Sequence, residues 1–298
     1  MDNSRRKKRL IKIIIYIFLG LAIALLINSK YIKKDFVSPF IPKDKSLKTA
    51  VEYALLGTKG TYGVIVKNLR TGEKYYSNEH KVYKAGSLYK LWIMAAVYQS
   101  IQNGELKEDE QLSQEVEVLN DKFAIEGEAA ELTEGTITLT VGDALKQMIT
   151  ISHNYAALLL TEKIKLSTVA KYLKEKGFNE SKVGTSGEDP ITTPFDIALF
   201  FEKLYKLELA DKENTDKMID LLQNQQNTDK LPKYLPKDIK VAHKTGELGW
   251  FSHDAGIVSS SFGDYIIVVL SESNSPTGVE DRIAEVSKNV YEYFSKIK

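Results

Sequence analysis

Hydrophobic positions fall into three regimes along the chain. Leu10 to Ile27 is almost continuously apolar, interrupted by Lys12 and a few small or aromatic residues. A run of that length is just long enough to cross a bilayer. Residues 28–45 turn polar, with Pro39 and Pro42 among lysines, and read as an exposed linker. From Ser46 onward the spacing alternates between strand and helix periods. Ser46 to Leu56 suits a helix, Tyr62 to Val66 a strand, and Leu69-Arg-Thr-Gly-Glu73 a hairpin turn into Lys74 to Ser77. Leu88, Leu91, Trp92, Ala95 and Tyr98 then recur at helical spacing until Asn103-Gly104 stops the run.

From about residue 105 to 210 the pattern is mainly helical, near Val141 to Ile151, Tyr155 to Ile164, Ser167 to Lys176 and Pro194 to Leu207. Strand patterns return at Ile239 to Lys244, Ala255 to Ser259 and Asp264 to Leu270. The last is a continuous apolar run, as in a strand covered on both faces. Thr277-Gly-Val-Glu280 is a capping box, and Val279, Ile283, Val286, Val290 and Phe294 make one face of a closing helix. The two ends of the body thus supply strands and outer helices, and the middle a helical insertion.

Charge changes the picture at the N-terminus. Residues 1–34 hold nine Lys or Arg against one acid, which leaves 32 basic and 39 acidic residues beyond them. The basic run Arg5 to Arg9 before the apolar segment predicts a signal anchor, with residues 1–9 as a cytoplasmic tail, 10–27 in the membrane and the body outside. A cleaved signal peptide is the main rival, but no small-x-small site follows Ile27; a buried core helix does not explain five adjacent basic residues. An acidic body argues against nucleic acid as a partner. With no cysteine, disulfides and thiolate chemistry are excluded, and four scattered histidines form no metal-ligand pattern.

Candidate chemistry centres on Lys84-Ala-Gly-Ser-Leu-Tyr-Lys90. One helical turn puts Ser87 and Lys90 on the same side, so the amine can come within hydrogen-bond reach of the hydroxyl and act as its base once its pKa is lowered. The spacing alone is weak, because Ser4 to Lys7 and Ser295 to Lys298 repeat it. Two later stretches add weight: Ser152-His-Asn154 inside an apolar helical region, and Lys244-Thr-Gly246 entering the strand region. Singly, these read as a helix cap, helix-end residues and a turn.

In this order the three motifs resemble those of the class A β-lactamase and penicillin-binding protein superfamily. Their surroundings are similar too, in Leu139-Thr-Val-Gly-Asp-Ala-Leu and Thr192-Thr-Pro-Phe-Asp, and the resemblance covers roughly residues 46–298. It implies an α/β (α+β) β-lactamase-like domain over 46–298, with a five-stranded antiparallel sheet flanked by helices, a helical subdomain over about 105–210 and the site in the cleft between them. The same resemblance makes Ser87 the nucleophile and Lys90 its base, with Ser152 relaying a proton to the leaving nitrogen. Asn154 would hold the substrate amide, and Lys244 and Thr245, with Gly246 beside them, would bind the substrate carboxylate. The backbone N–H groups of Ser87 and Glu247 would form the oxyanion hole. No cofactor or metal is implied. The expected partners are a β-lactam or a peptidoglycan stem peptide.

Three departures stand out. His153 occupies a position where class A enzymes usually carry aspartate. No glutamate followed by Leu-Asn precedes Thr192, and Glu180 and Glu188 lack that setting. No arginine follows Lys-Thr-Gly in Ala255-Gly-Ile-Val. The expected activity is therefore an acyl-enzyme-forming serine hydrolase without a recognisable deacylation glutamate. A D,D-carboxypeptidase or penicillin-binding enzyme, and a cell-wall binding protein without turnover, are the alternatives.

Overall fold

A computed structural model describes residues 46–125, 130–185, 187–273 and 278–296. The expected membrane segment, the linker and Thr277 of the capping box lie outside the described residues. Among the described residues no helix is long and apolar enough to cross a membrane.

Helix α1 (Leu47–Ala54) begins at Ser46, whose hydroxyl accepts from Thr49 N at 3.2 Å. β1 (Thr61–Asn68) and β2 (Lys74–Ser77) follow as a hairpin, then the short β3 (Tyr83–Lys84) and a 3₁₀ turn, Gly86–Tyr89. That turn leads into α2 (Lys90–Gln102). The middle of the chain contains β4 (Gln111–Glu115), α3 (Val116–Lys122), β5 (Thr136–Thr140), α4 (Val141–Thr150), α5 (Asn154–Ile164), α6 (Leu166–Glu175), β6 (Ile191–Thr192), α7 (Pro194–Tyr205) and α8 (Lys212–Gln223). β7 (Lys240–Leu248), β8 (Phe251–Ser259), β9 (Tyr265–Glu272) and α9 (Val279–Lys296) close it.

The main sheet is antiparallel throughout and ordered β2-β1-β9-β8-β7, so β9 is central and β7 is an edge. Strand periodicity decides which side chains face which layer. On β9, Tyr265, Ile267 and Val269 pack with α1 and α9, while Ile266, Val268 and Leu270 join the larger core that holds α2 and α7. Both faces are covered, as the unbroken apolar run implies. Helix α2 is buried almost all round: Lys90 to Tyr98 are consecutively buried, against the single face that the spacing predicts. Its neighbours α4, α5, α6 and α8 surround it.

The middle of the chain departs from expectation by holding strands. β4 and β5 pair as a two-stranded sheet, and β3 pairs with β6. Thr136-Ile-Thr-Leu-Thr140 does alternate, but one exposed hairpin adds little burial, and the helical signal on either side masks it. Helices α3 and α8 are also additions. In α8 Asn214, Thr215, Met218 and Leu222 form its buried positions, too polar a set to register as an apolar face. β7 begins at Lys240 and runs to Leu248, so Lys244-Thr-Gly246 is interior to a strand rather than at its entrance.

Candidate active site

The site forms where the 3₁₀ turn, the junction between α4 and α5, and the edge strand β7 converge. Contact between the turn and β7 is backbone on backbone. A Cβ built on Gly246 would stand 2.8 Å from Ala85 O, and one on Gly86 would stand 2.8 Å from Glu247 N. Gly86 also has φ +49°, which favours a residue without a Cβ. This approach brings the Glu247 backbone N beside the residue that precedes Ser87.

Two further side chains brace this wall. His253 faces Gly246 in the β7–β8 register and is fully buried. Its Nδ1 accepts from Ser271 N at 3.1 Å, which leaves the proton on Nε2, and Nε2 donates to Lys84 O at 2.8 Å. Burial lowers its pKa to about 4. Asp254, opposite Thr245, accepts from His243 Nδ1 at 2.9 Å and from Leu231 N at 3.0 Å. The second bond fixes the chain at Leu231, and the adjacent Lys230, wholly buried, forms an ion pair with Glu247.

The opposite wall is the end of α4. Ser152 has φ +59°, in the left-handed region that usually calls for glycine, and His153 N returns to Gln147 O at 3.1 Å. His153 then caps α5, its Nδ1 accepting from Ala156 N at 3.1 Å. A carboxylate would accept the same bond, which is the physical reason a histidine serves here in place of aspartate.

Lys90 and Lys244 meet over Ser152. Lys90 Nζ lies 2.6 Å from Ser152 O, 2.6 Å from Asn154 Oδ1 and 3.2 Å from Ser152 Oγ. Lys244 Nζ donates to Ser152 Oγ at 3.0 Å and to Thr245 O at 2.9 Å. The three contacts of Lys90 correct the simple one-turn expectation: all go to the α4–α5 junction and none to Ser87. Both amines are buried and both pKa values fall to about 7. Burial is the main cause for each, and the neighbouring Lys90 charge lowers Lys244 further. Lys90 donates to all three of these oxygens, and the Ser152 hydroxyl thus accepts from both buried amines.

The sequence of the whole body matches the profile of the beta-lactamase enzyme family over residues 45–294. The chain belongs to that family. It is a serine hydrolase of the β-lactamase type. Among curated proteins none matches it. A β-lactamase from Sphaerobacter thermophilus DSM 20745 is 24% identical, with a TM-score of 0.72 over 85% of this chain and 98% of that one. PBP-A, at 23% identity, has a TM-score of 0.72 over 84% and 96%. A class A β-lactamase representative from Bacteroides cellulosilyticus DSM 14838 is 24% identical, with a TM-score of 0.70 over 83% and 96%.

For a β-lactamase-family fold the structure thus joins Lys90, Ser152, Asn154 and Lys244 in one hydrogen-bonded group, with Thr245, Gly246 and Glu247 continuing along β7 against the turn that carries Ser87. Four participants were not singled out in the sequence. Lys230 is a buried cation whose charge also reaches Lys244, and Asn227 Nδ2 lies 3.3 Å from Thr245 Oγ1. His253 braces the serine turn from behind. Glu131 accepts from Asn154 Nδ2 at 2.5 Å, reaching the cleft from the loop after α3. Lys230 and Glu131 look like ordinary surface charges in a polar stretch. Only His253-Asp254, two polar residues at the start of an apolar strand, carried a signal.

Of the loop glutamates, Glu180 contacts His80 Nδ1 at 2.9 Å and Thr193 Oγ1 at 2.7 Å. Glu188 lines a cavity of about 460 Å³ that also reaches Tyr89, Glu131 and Asn154. Among the described residues no cluster of three His, Asp or Glu is placed to hold a metal.

Proposed function

We propose that Ser87 attacks the acyl carbonyl of β-lactams or D-Ala-D-Ala-like peptides and that the resulting acyl-enzyme is long-lived. The supporting observation is the sharing of Ser152 Oγ by two buried lysines. Two ammonium groups on one hydroxyl repel each other, so one amine is held neutral near pH 7 and serves as base. In this reading Lys90 takes the Ser87 proton, and Ser152 passes a proton to the departing nitrogen. Lys244 keeps its charge and, with Thr245, Asn227 and Lys230 behind it, receives the substrate carboxylate. The N–H groups of Ser87 and Glu247 hold the oxyanion; one such donor is typically worth about 10²–10³ in rate.

Support for slow release comes from the loop before Thr192, where Glu180 is bonded to His80 and Thr193 instead of Lys90. One structural relative, a mutant of PBP-A, was solved as an acyl-enzyme complex with penicillin G. A second reading, full β-lactamase turnover with Glu188 activating water, is favoured by the position of Glu188 on the cavity beside Asn154. Mass spectrometry of the protein with penicillin G separates them. An adduct on Ser87 that persists for minutes, absent in Ser87→Ala and unchanged in lifetime by Glu188→Gln, is the expected result. Turnover within seconds that Glu188→Gln abolishes selects the second reading, and no adduct at all removes both.

The basic run before Leu10 supports placing the body outside the cell on a single membrane anchor. Protease added to intact cells should then remove the body, and protection of the body would overturn that topology.

A further inference from the structure

Asn154 has two different neighbours. Its carbonyl oxygen accepts from Lys90, and its amide nitrogen donates to a Glu131 carboxylate oxygen at 2.5 Å. The family resemblance implies that Asn154 holds the substrate amide, and its amide nitrogen is the donor that would meet that amide's carbonyl. The carboxylate therefore stands where atoms next to that carbonyl must pass. Glu131 and Asn154 also share the lining of the cavity of about 460 Å³ that opens beside the cleft, large enough for an acyl side chain.

The charges of this cavity can be assigned one by one. Lys122 pairs with Glu162 at 2.6 Å, and Asp189 pairs with Lys84 at 2.6 Å. Glu188 adds a second carboxylate to the lining. Glu131 contacts a neutral amide, and Lys90 lies on the far side of that amide. The negative charge of Glu131 is thus offset less directly than that of Asp189, and it faces the path of the acyl group.

Resting on the acyl-enzyme reading, we infer that Glu131 is a specificity determinant that favours acyl groups carrying a cationic amine next to the amide carbonyl and disfavours anionic ones. A protonated amine replaces Asn154 as the partner of the carboxylate and frees the Asn154 amide for the substrate carbonyl. An acidic acyl group meets a like charge at the same place and leaves Asn154 occupied. Across an exposed gap of a few ångströms, each charge should change the acylation rate by about fivefold.

Three penicillins that differ at the α-carbon test this: benzylpenicillin with hydrogen, ampicillin with an ammonium and carbenicillin with a carboxylate. Their rates of Ser87 acylation are measured on the full-length protein at pH 6.5, where an α-amine is protonated. Ampicillin should be about fivefold faster than benzylpenicillin and carbenicillin about fivefold slower, with both ratios shrinking as salt is raised. Glu131→Gln can still accept from Asn154 but carries no charge, so it should bring the three rates within about twofold of one another. Equal rates in the unaltered protein, or an order that survives Glu131→Gln, overturns the inference. If none of the three acylates, the acyl-enzyme reading fails instead. The same charge order is then sought in non-covalent binding to Ser87→Ala by NMR titration; its presence there upholds the role of Glu131 and its absence removes it.

Discussion

The two walls of the cleft are built differently. On the sheet side, Lys244 to Glu247 lie in a strand paired residue by residue with β8, and Lys244, Thr245, His253 and Asp254 are all buried. The helical side rests on one left-handed residue, Ser152, and on the exposed Asn154 and Glu131, joined by single side-chain bonds. A hydrogen-bond ladder holds backbone N–H groups in fixed positions, which charge stabilisation of an oxyanion requires. A loop held by single bonds can yield to different acyl groups. In the reaction proposed above, the sheet wall would fix the backbone donors, while the helical wall would supply Ser152 to the chemistry and Asn154 and Glu131 to the choice of acyl group.

The largest test of this contrast is Gly246→Ala. Its Cβ would press on Ala85 O and Leu88 and push β7 from the serine turn, so acylation should fall about 10²–10³-fold, measured as the rate of adduct formation. A loss below about tenfold, at the scale of the effects on the other wall, would show that the sheet wall also yields.

His253 sharpens the comparison through pH. Its folded pKa of about 4 lies below the ordinary 6.5, so between these values the unfolded chain binds a proton that the folded chain refuses. The contribution to stability is fully present above about pH 6.5 and is lost as pH falls towards 4, by on the order of 3 kcal/mol. Urea unfolding at pH 7 and pH 4.5 should show this dependence, and His253→Gln should flatten it. An equal slope in both proteins would detach the histidine from the rigidity of this wall.

The smallest effect is expected at Ser152. Left-handed backbone costs a residue with a Cβ about 1–2 kcal/mol, which glycine avoids. Ser152→Gly should therefore be about 1 kcal/mol more stable than Ser152→Ala in thermal or urea unfolding, while both variants acylate more slowly. Equal stability of the two would mean the helical wall is not strained there.

Much of this arrangement was readable along the chain. The unbroken apolar run of β9, the hairpin turn at Leu69 to Glu73 and the three short motifs could be read, because each depends on neighbours within a few residues. The β4–β5 hairpin was hidden since its two strands are separated by α3 and bury little. Nor could spacing reveal that Lys90 points at Ser152, 62 residues away. A one-turn relation fixes the side of a helix but not which buried acceptors will compete for the amine.

The sequence by itself determined the local pieces: the serine motif at a helix start, the glycine at position 246, the helix periods and the strand-forming runs. Tertiary structure alone decided that Lys90 and Lys244 would share one hydroxyl, that Lys230 would be buried against Glu247, and that Glu131 would reach Asn154. These are pairings of charged and polar groups from distant segments. Their energies depend on burial and separation, and neither quantity exists until the chain has closed around them.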